Sequence, residues 1–129
     1  MNQHLAHIAL LVNDYDEAIR FFVQKLDFDL IEDTQLSETK RWVLVKPRGP
    51  GNCGLLLANA VGERQKKAVG NQSGGRVFLF LHTDNFQRDY ERLLHERITI
   101  VRPPADEPYG KVCVFADLYG NLWDLIERK

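Results

Sequence analysis

The hydrophobic positions change their period several times along the chain, and each change marks the end of one short element and the start of another. Leu5 to Val12 is an apolar run rich in branched residues, the pattern of a buried strand, and Asn13-Asp14 can cap the helix that follows. From Tyr15 to Leu26 the residues Tyr15, Ile19, Phe22 and Leu26 recur at helical spacing on one face. Phe28 to Glu32 and Arg41 to Lys46 have strand character, with a polar turn between them. Pro47-Arg48-Gly49-Pro50-Gly51-Asn52 then makes a sharp turn into the apolar Cys53 to Ala58. The first half therefore predicts βαβββ.

Asn59 to Gly75 breaks the pattern, because its glycines and its Glu, Arg, Gln and Lys residues leave little to bury; a linker or mobile flap is expected there. The same grammar then restarts. Val77 to Leu81 is an apolar strand, Thr83-Asp84-Asn85 can cap, and Phe86, Tyr90, Leu93 and Arg97 mark a helix. Ile98 to Val101 follows as a strand, and Arg102 to Gly110, punctuated by Pro103, Pro104 and Pro108, as a loop. Lys111 to Ala116 and Leu122 to Glu127 close the pattern as two strands around the turn Leu118-Tyr119-Gly120-Asn121. The halves superpose with an offset of about 71 at the helices and about 69 at the two Gly-Asn turns, the mark of an internal duplication. The expected organisation is α+β: a first βαβββ module over 1–58, a linker over 59–75 and a second βαβββ module over 76–129, in one compact structural unit.

Length and composition narrow the partners. The chain has 129 residues, 44% of them apolar and 27% charged, with 17 Lys and Arg against 18 Asp and Glu. A formal charge of -1 offers no basic surface, so neither nucleic acid nor an anionic membrane is expected as a partner. The two cysteines, Cys53 and Cys113, have no C-x-x-C neighbour, which removes a disulfide framework and a zinc knuckle. No basic leader and no bilayer-length apolar run occur, so the expected location is cytoplasmic. P-loop, dinucleotide and nucleophile-elbow motifs are missing as well, which argues against phosphoryl transfer, hydride transfer and triad hydrolysis.

His7-Ile8-Ala9-Leu10-Leu11-Val12-Asn13-Asp14 and Asp117-Leu118-Tyr119-Gly120-Asn121-Leu122-Trp123-Asp124-Leu125-Ile126-Glu127 resemble the opening strand and closing hairpin of the vicinal-oxygen-chelate superfamily. That superfamily includes glyoxalase I, bleomycin-resistance proteins and extradiol dioxygenases. The resemblance implies curled mixed sheets around a small-molecule cavity. It also implies a metal ligand at His7 and, three residues past the Gly-Asn turn, a carboxylate that here is Asp124 instead of the usual Glu. The two remaining ligand places fall on Leu55 and on Val77 or Phe78, none of which can bind a cation. His82 is a distant substitute, Glu127 has the wrong strand parity, and His4 and His95 have weaker claims. The cofactor is thus left open: a divalent metal is compatible with His7 and Asp124, but its ligand set is incomplete.

Trp42, Tyr109, Tyr119, Trp123 and Phe115 are candidates to line a pocket, with Arg41, Lys46, Arg76 and Arg102 available for an anionic substituent. Trp42, Arg102 and Tyr109 are the preferred ligand-binding residues. Two functions follow from the resemblance. One is a glyoxalase-like lyase or isomerase in which His7 and Asp124 transfer protons across the cavity; the other is a non-catalytic, bleomycin-resistance-like protein that sequesters a ligand. A homodimer is expected because small curled sheets leave apolar edges for a second copy to cover. Sedimentation at micromolar concentration should show the dimer, and a pure monomer would contradict it.

Overall fold

The computed structural model describes residues 1–129, which divide into two compact units, Met1–Val69 and Gly70–Lys129. Each unit carries a four-stranded mixed sheet and is described by itself.

Unit 1 runs β1 (His7–Val12), α1 (Tyr15–Ile19), β2 (Asp29–Gln35), β3 (Arg41–Lys46), β4 (Gly54–Asn59) and α2 (Gly62–Ala68). Its sheet order is β1-β4-β3-β2, with β1 parallel to β4 and the other pairs antiparallel. Alternation decides which face is buried. Leu10 and Val12, Val43 and Val45, and Leu55 and Leu57 point to one side and are buried with Tyr15, Ala18, Phe21 and Phe22 of the first helix. Asp14 starts that helix: its Oδ1 accepts the Glu17 N–H at 2.9 Å. Arg41 ties the helix to β3, pairing with Asp16 at 2.9 Å and Asp33 at 2.7 Å above the Tyr15 ring, while its backbone N–H donates to the Tyr15 hydroxyl.

Unit 2 repeats the plan as β5 (Val77–His82), α3 (Phe86–His95), β6 (Ile100–Glu107), β7 (Gly110–Ala116) and β8 (Leu122–Arg128), in the order β5-β8-β7-β6. Phe86, Leu93, Phe115, Trp123 and Leu125 are its main buried apolar residues. Asn85 caps α3 by accepting the Arg88 N–H at 3.0 Å, as Asp14 caps α1. After each helix one non-glycine residue turns left-handed, Asp27 (φ 62°) and Arg97 (φ 59°). Asp27 stands thirteen positions after its cap and Arg97 twelve. The extra residue is absorbed by a π-helical continuation of α1 over Arg20–Lys25, where the Leu26 N–H bonds to the Phe21 carbonyl five residues back. One residue of the drift in offset between the halves arises here.

Two expectations about elements change. The loop read into Arg102 to Gly110 is mostly strand: β6 continues to Glu107, and only Pro108-Tyr109 turn the chain into β7. Pro103 and Pro104 fit because β6 is an edge strand with bulges between Ile100 and Arg102 and between Arg102 and Ala105. Within 59–75 the chain forms α2, which buries none of its residues. Beyond it, Gly70 (φ 78°) lies so close to the Tyr119 carbonyl that a Cβ would overlap it, and the Gln72 N–H donates to Asn121 Oδ1 at 3.3 Å.

The closing turn is organised by one buried carboxylate. Asp117 Oδ1 accepts the N–H groups of Tyr119, Gly120 and Asn121 at 3.0–3.1 Å, and Oδ2 accepts Asn121 Nδ2 and Trp123 Nε1 at 3.1 Å. Asp117→Ala strands these donors in the interior. It should therefore lower unfolding stability by about 3–5 kcal/mol in urea titrations, well above the loss of under 1 kcal/mol typical of a surface change.

Candidate functional site

Each sheet has a second face, turned away from its helix, and register identifies its residues. In unit 1 this open face carries His7, Ala9 and Leu11 of β1, Leu56 and Ala58 of β4, Trp42 and Leu44 of β3, and Glu32 and Thr34 of β2. His7 and Trp42 meet edge to face at 5.7 Å although β4 lies between their strands, a contact that requires the sheet to curl toward this side. His7 therefore points where its parity predicted, and Trp42 joins it.

In unit 2 the face away from the helix carries Phe80 and His82 of β5, with Val77 paired to Leu122 across a bulge, Leu122, Asp124 and Ile126 of β8, Val112, Val114 and Ala116 of β7, and Arg102 of β6, of which Val114 and Ile126 are buried. Phe80 is 62% exposed, the most exposed aromatic ring of the chain's strands. Burial raises the Asp124 carboxyl above the ordinary aspartate range, and the positive charge of Arg102 partly offsets it. On the helix side of the same sheet, burial, helped by the Asp124 charge, pushes the Cys113 thiol up to about 11.

Register also refines the correspondence between the halves. Ala9 and Phe80 both stand five residues before their helix caps, and they pair with Leu56 and Asp124 respectively. The counterpart of Asp124 is therefore Leu56 and not Leu55, which is 5% exposed in the helix-side core. Counted from the caps His7 answers Phe78, but by pairing it answers Val77, because Val77 pairs with Leu122 as His7 pairs with Gly54 and a bulge between Val77 and Leu79 inserts Phe78. Leu56, Val77 and Phe78 have no lone pair to give, and nowhere do three His, Cys, Asp or Glu side chains gather to hold a metal ion. The four-ligand metal set of metal-dependent relatives does not fit this chain.

Several other candidates are committed elsewhere. Glu127 lies on the helix side and accepts the Phe86 N–H at 2.6 Å, completing the start of α3. Trp123 and Phe115 stack at 5.6 Å inside the core and line no open surface. Arg41 is held by two aspartates, and Lys46 Nζ donates to the carbonyls of Pro47, Gly49 and Gly51, bracing the Pro-Gly turn. Arg76 accepts the Ser73 hydroxyl at its carbonyl. Tyr109, 49% exposed, sits at the tip of the β6–β7 hairpin, and Tyr119 is half-buried in the closing turn. His4 belongs to the exposed N-terminal stretch, His95 pairs with Glu96 at the exposed end of α3, and His82 is exposed at the end of β5. Phe80 was missed by sequence reasoning, although counting back from the cap gives it the parity of His7.

A family model for the Glyoxalase/Bleomycin resistance protein/Dioxygenase superfamily matches residues 4–125, and the chain belongs to that superfamily. An uncharacterized protein of Shewanella frigidimarina (strain NCIMB 400) is 59% identical over 98% of this chain and 95% of its own. Among solved structures, UcmS2 is 28% identical with a TM-score of 0.85, covering 98% of this chain and 99% of its own. TnmS3, described as an antibiotic binding protein from Streptomyces sp. CB03234, is 26% identical with a TM-score of 0.81, covering 99% of this chain and 98% of its own.

Two measurements check this description. A disulfide thiol reagent should label one cysteine per native chain, the exposed Cys53, and reach Cys113 only on denaturation. Because the folded-state pKa of Asp124 is raised, its contribution to stability is complete below the unfolded-state value and is lost as pH rises through the folded value. Asp124→Asn should therefore raise the unfolding temperature at pH 7, with the gain shrinking as pH falls through the carboxylate range.

Proposed function

We propose that this protein binds a small molecule on the open faces of its sheets and sequesters it without metal-assisted chemistry. The observation that carries this reading is that the positions answering Asp124 and His7 hold apolar residues, Leu56 and Val77 or Phe78, beside the aromatic surfaces of Trp42 and Phe80. Such faces suit a planar ligand better than a coordinated substrate. The likeness to TnmS3, an antibiotic binding protein, supports the same reading. No helix is long and apolar enough to cross a membrane; the reading places the protein in the cytoplasm, and as a homodimer, with Leu30 and Ile31 exposed on edge strand β2. Trp42 in unit 1, and Arg102 with Tyr109 at its hairpin tip in unit 2, are the ligand-binding residues proposed for each unit.

A second reading, a lyase or isomerase, is favoured by the raised carboxyl of Asp124, since a carboxyl closer to neutrality exchanges protons more readily with carbon acids. In unit 1, His7 is the residue proposed for proton transfer.

The two tryptophans provide the test, because Trp42 lies on an open face and Trp123 in the core. Bleomycin and a panel of planar aromatic antibiotics should include a compound that quenches Trp42 emission and raises the unfolding temperature. In Trp42→Phe the quenching should disappear while Trp123 still emits. Failure of every compound would overturn the binding reading. If a bound compound is instead turned over, with turnover falling 100-fold or more in His7→Ala or Asp124→Asn, the enzymatic reading holds.

A further inference from the structure

The open face of unit 2 carries an ordered set of chemical groups that a general small-molecule site does not require. Phe80 pairs with Asp124, Asp124 with Val114, and Val114 with Arg102, so the four form one row across β5, β8, β7 and β6. Neighbouring strands lie about 4.8 Å apart. The row therefore presents an exposed ring, then a partly buried carboxylate, and, beyond the buried Val114, an exposed arginine. Arg102 acts on Asp124 through charge across this gap, and neither side chain is tied into an ion pair or hydrogen bond. Elsewhere in the chain the arginines Arg41, Arg48 and Arg88 are each held by aspartates.

The corresponding row in unit 1 is Ala9, Leu56, Leu44 and Glu32. It has no ring and no cation, and its carboxylate already accepts the Thr34 hydroxyl at 3.0 Å. The aromatic–acid–base order is thus particular to the second half and is not a by-product of the duplicated scaffold.

Resting on the reading that the protein binds small molecules, we propose that this row recognises an aromatic α-amino-acid group, either the free amino acid or the same group within a larger molecule. Its ring stacks on Phe80, its ammonium donates to Asp124, and its carboxylate takes the paired N–H groups of Arg102. The order ring, cation, anion in such a ligand is complementary to the order ring, anion, cation in the protein. Charge excludes the simpler alternatives. An aromatic acid without an amine sets its carboxylate against Asp124, and an aromatic amine without a carboxylate leaves Arg102 unpaired and close to a like charge.

The test is calorimetric titration of the full chain with L-phenylalanine, phenethylamine, N-acetyl-L-phenylalanine and L-cyclohexylalanine. L-Phenylalanine should bind, and each of the first two truncated compounds should bind about ten-fold or more weakly, since each lacks one charge-assisted contact. L-Cyclohexylalanine should lose the ring-on-ring contribution and bind a few-fold more weakly. Asp124→Asn should bring L-phenylalanine down to the affinity of N-acetyl-L-phenylalanine, and Arg102→Gln should bring it down to that of phenethylamine. Thermal unfolding of both variants controls for folding. If phenethylamine or N-acetyl-L-phenylalanine binds as well as L-phenylalanine, or if L-phenylalanine ignores both substitutions, the proposed ligand class is wrong while small-molecule binding stands. Absence of L-phenylalanine binding also overturns the proposal, and the broader reading falls with it only if the antibiotic panel fails too.

Discussion

One helix can cover one face of a four-stranded sheet, and the rest of this protein's architecture follows from that constraint. In each unit the helix buries the branched and aromatic residues of one strand parity, leaving the other parity uncovered by it. On the covered side the residues are interchangeable hydrophobes: Leu10, Val43, Val45 and Leu57 in one unit, Phe115, Trp123 and Leu125 in the other. On the uncovered side they diverge, with His7, Trp42 and Leu56 in the first half and Phe80, Asp124 and Arg102 in the second. A duplicated scaffold can tolerate such divergence because the helix-covered parity carries most of the core packing, although Val114 and Ile126 on the other parity are also buried.

Polar interactions at the ends of elements fix where each face begins and ends. Asp14 and Asn85 set the helix starts, Glu127 reaches across to α3, and Asp117 gathers the donors of the closing turn and the indole of Trp123. These groups account for carboxylates that could otherwise be mistaken for site residues. Asp124 differs from them: partly buried, raised in pKa and opposed only by the charge of Arg102, it is a carboxylate that the fold leaves chemically available.

Membership of the superfamily fixes the scaffold but not the chemistry carried on it. The faces away from the helices carry one histidine and one aspartate, and the positions that answer them in the other half are apolar. Exchanging donors for hydrophobes lowers affinity for a cation and raises it for a flat apolar ligand.

Much of this was legible in the sequence. The βαβββ repeat follows from period changes and caps, and the inward parity of His7 from alternation alone, because both depend on neighbours a few residues apart. Register was not legible. Whether Leu55 or Leu56 answers Asp124, and whether Val77 or Phe78 answers His7, depends on hydrogen-bonded pairing and on where a bulge inserts a residue, and a shift of one position moves a side chain to the opposite face. The loss of Trp123 and Phe115 to the core and the capture of Arg41 and Lys46 by distant partners were decided by packing between elements far apart in the chain. Local pattern fixed which elements form and which parity is apolar. Tertiary structure alone brought Phe80, Asp124 and Arg102 into one row, because strands β5, β8 and β6 become neighbours only through the sheet.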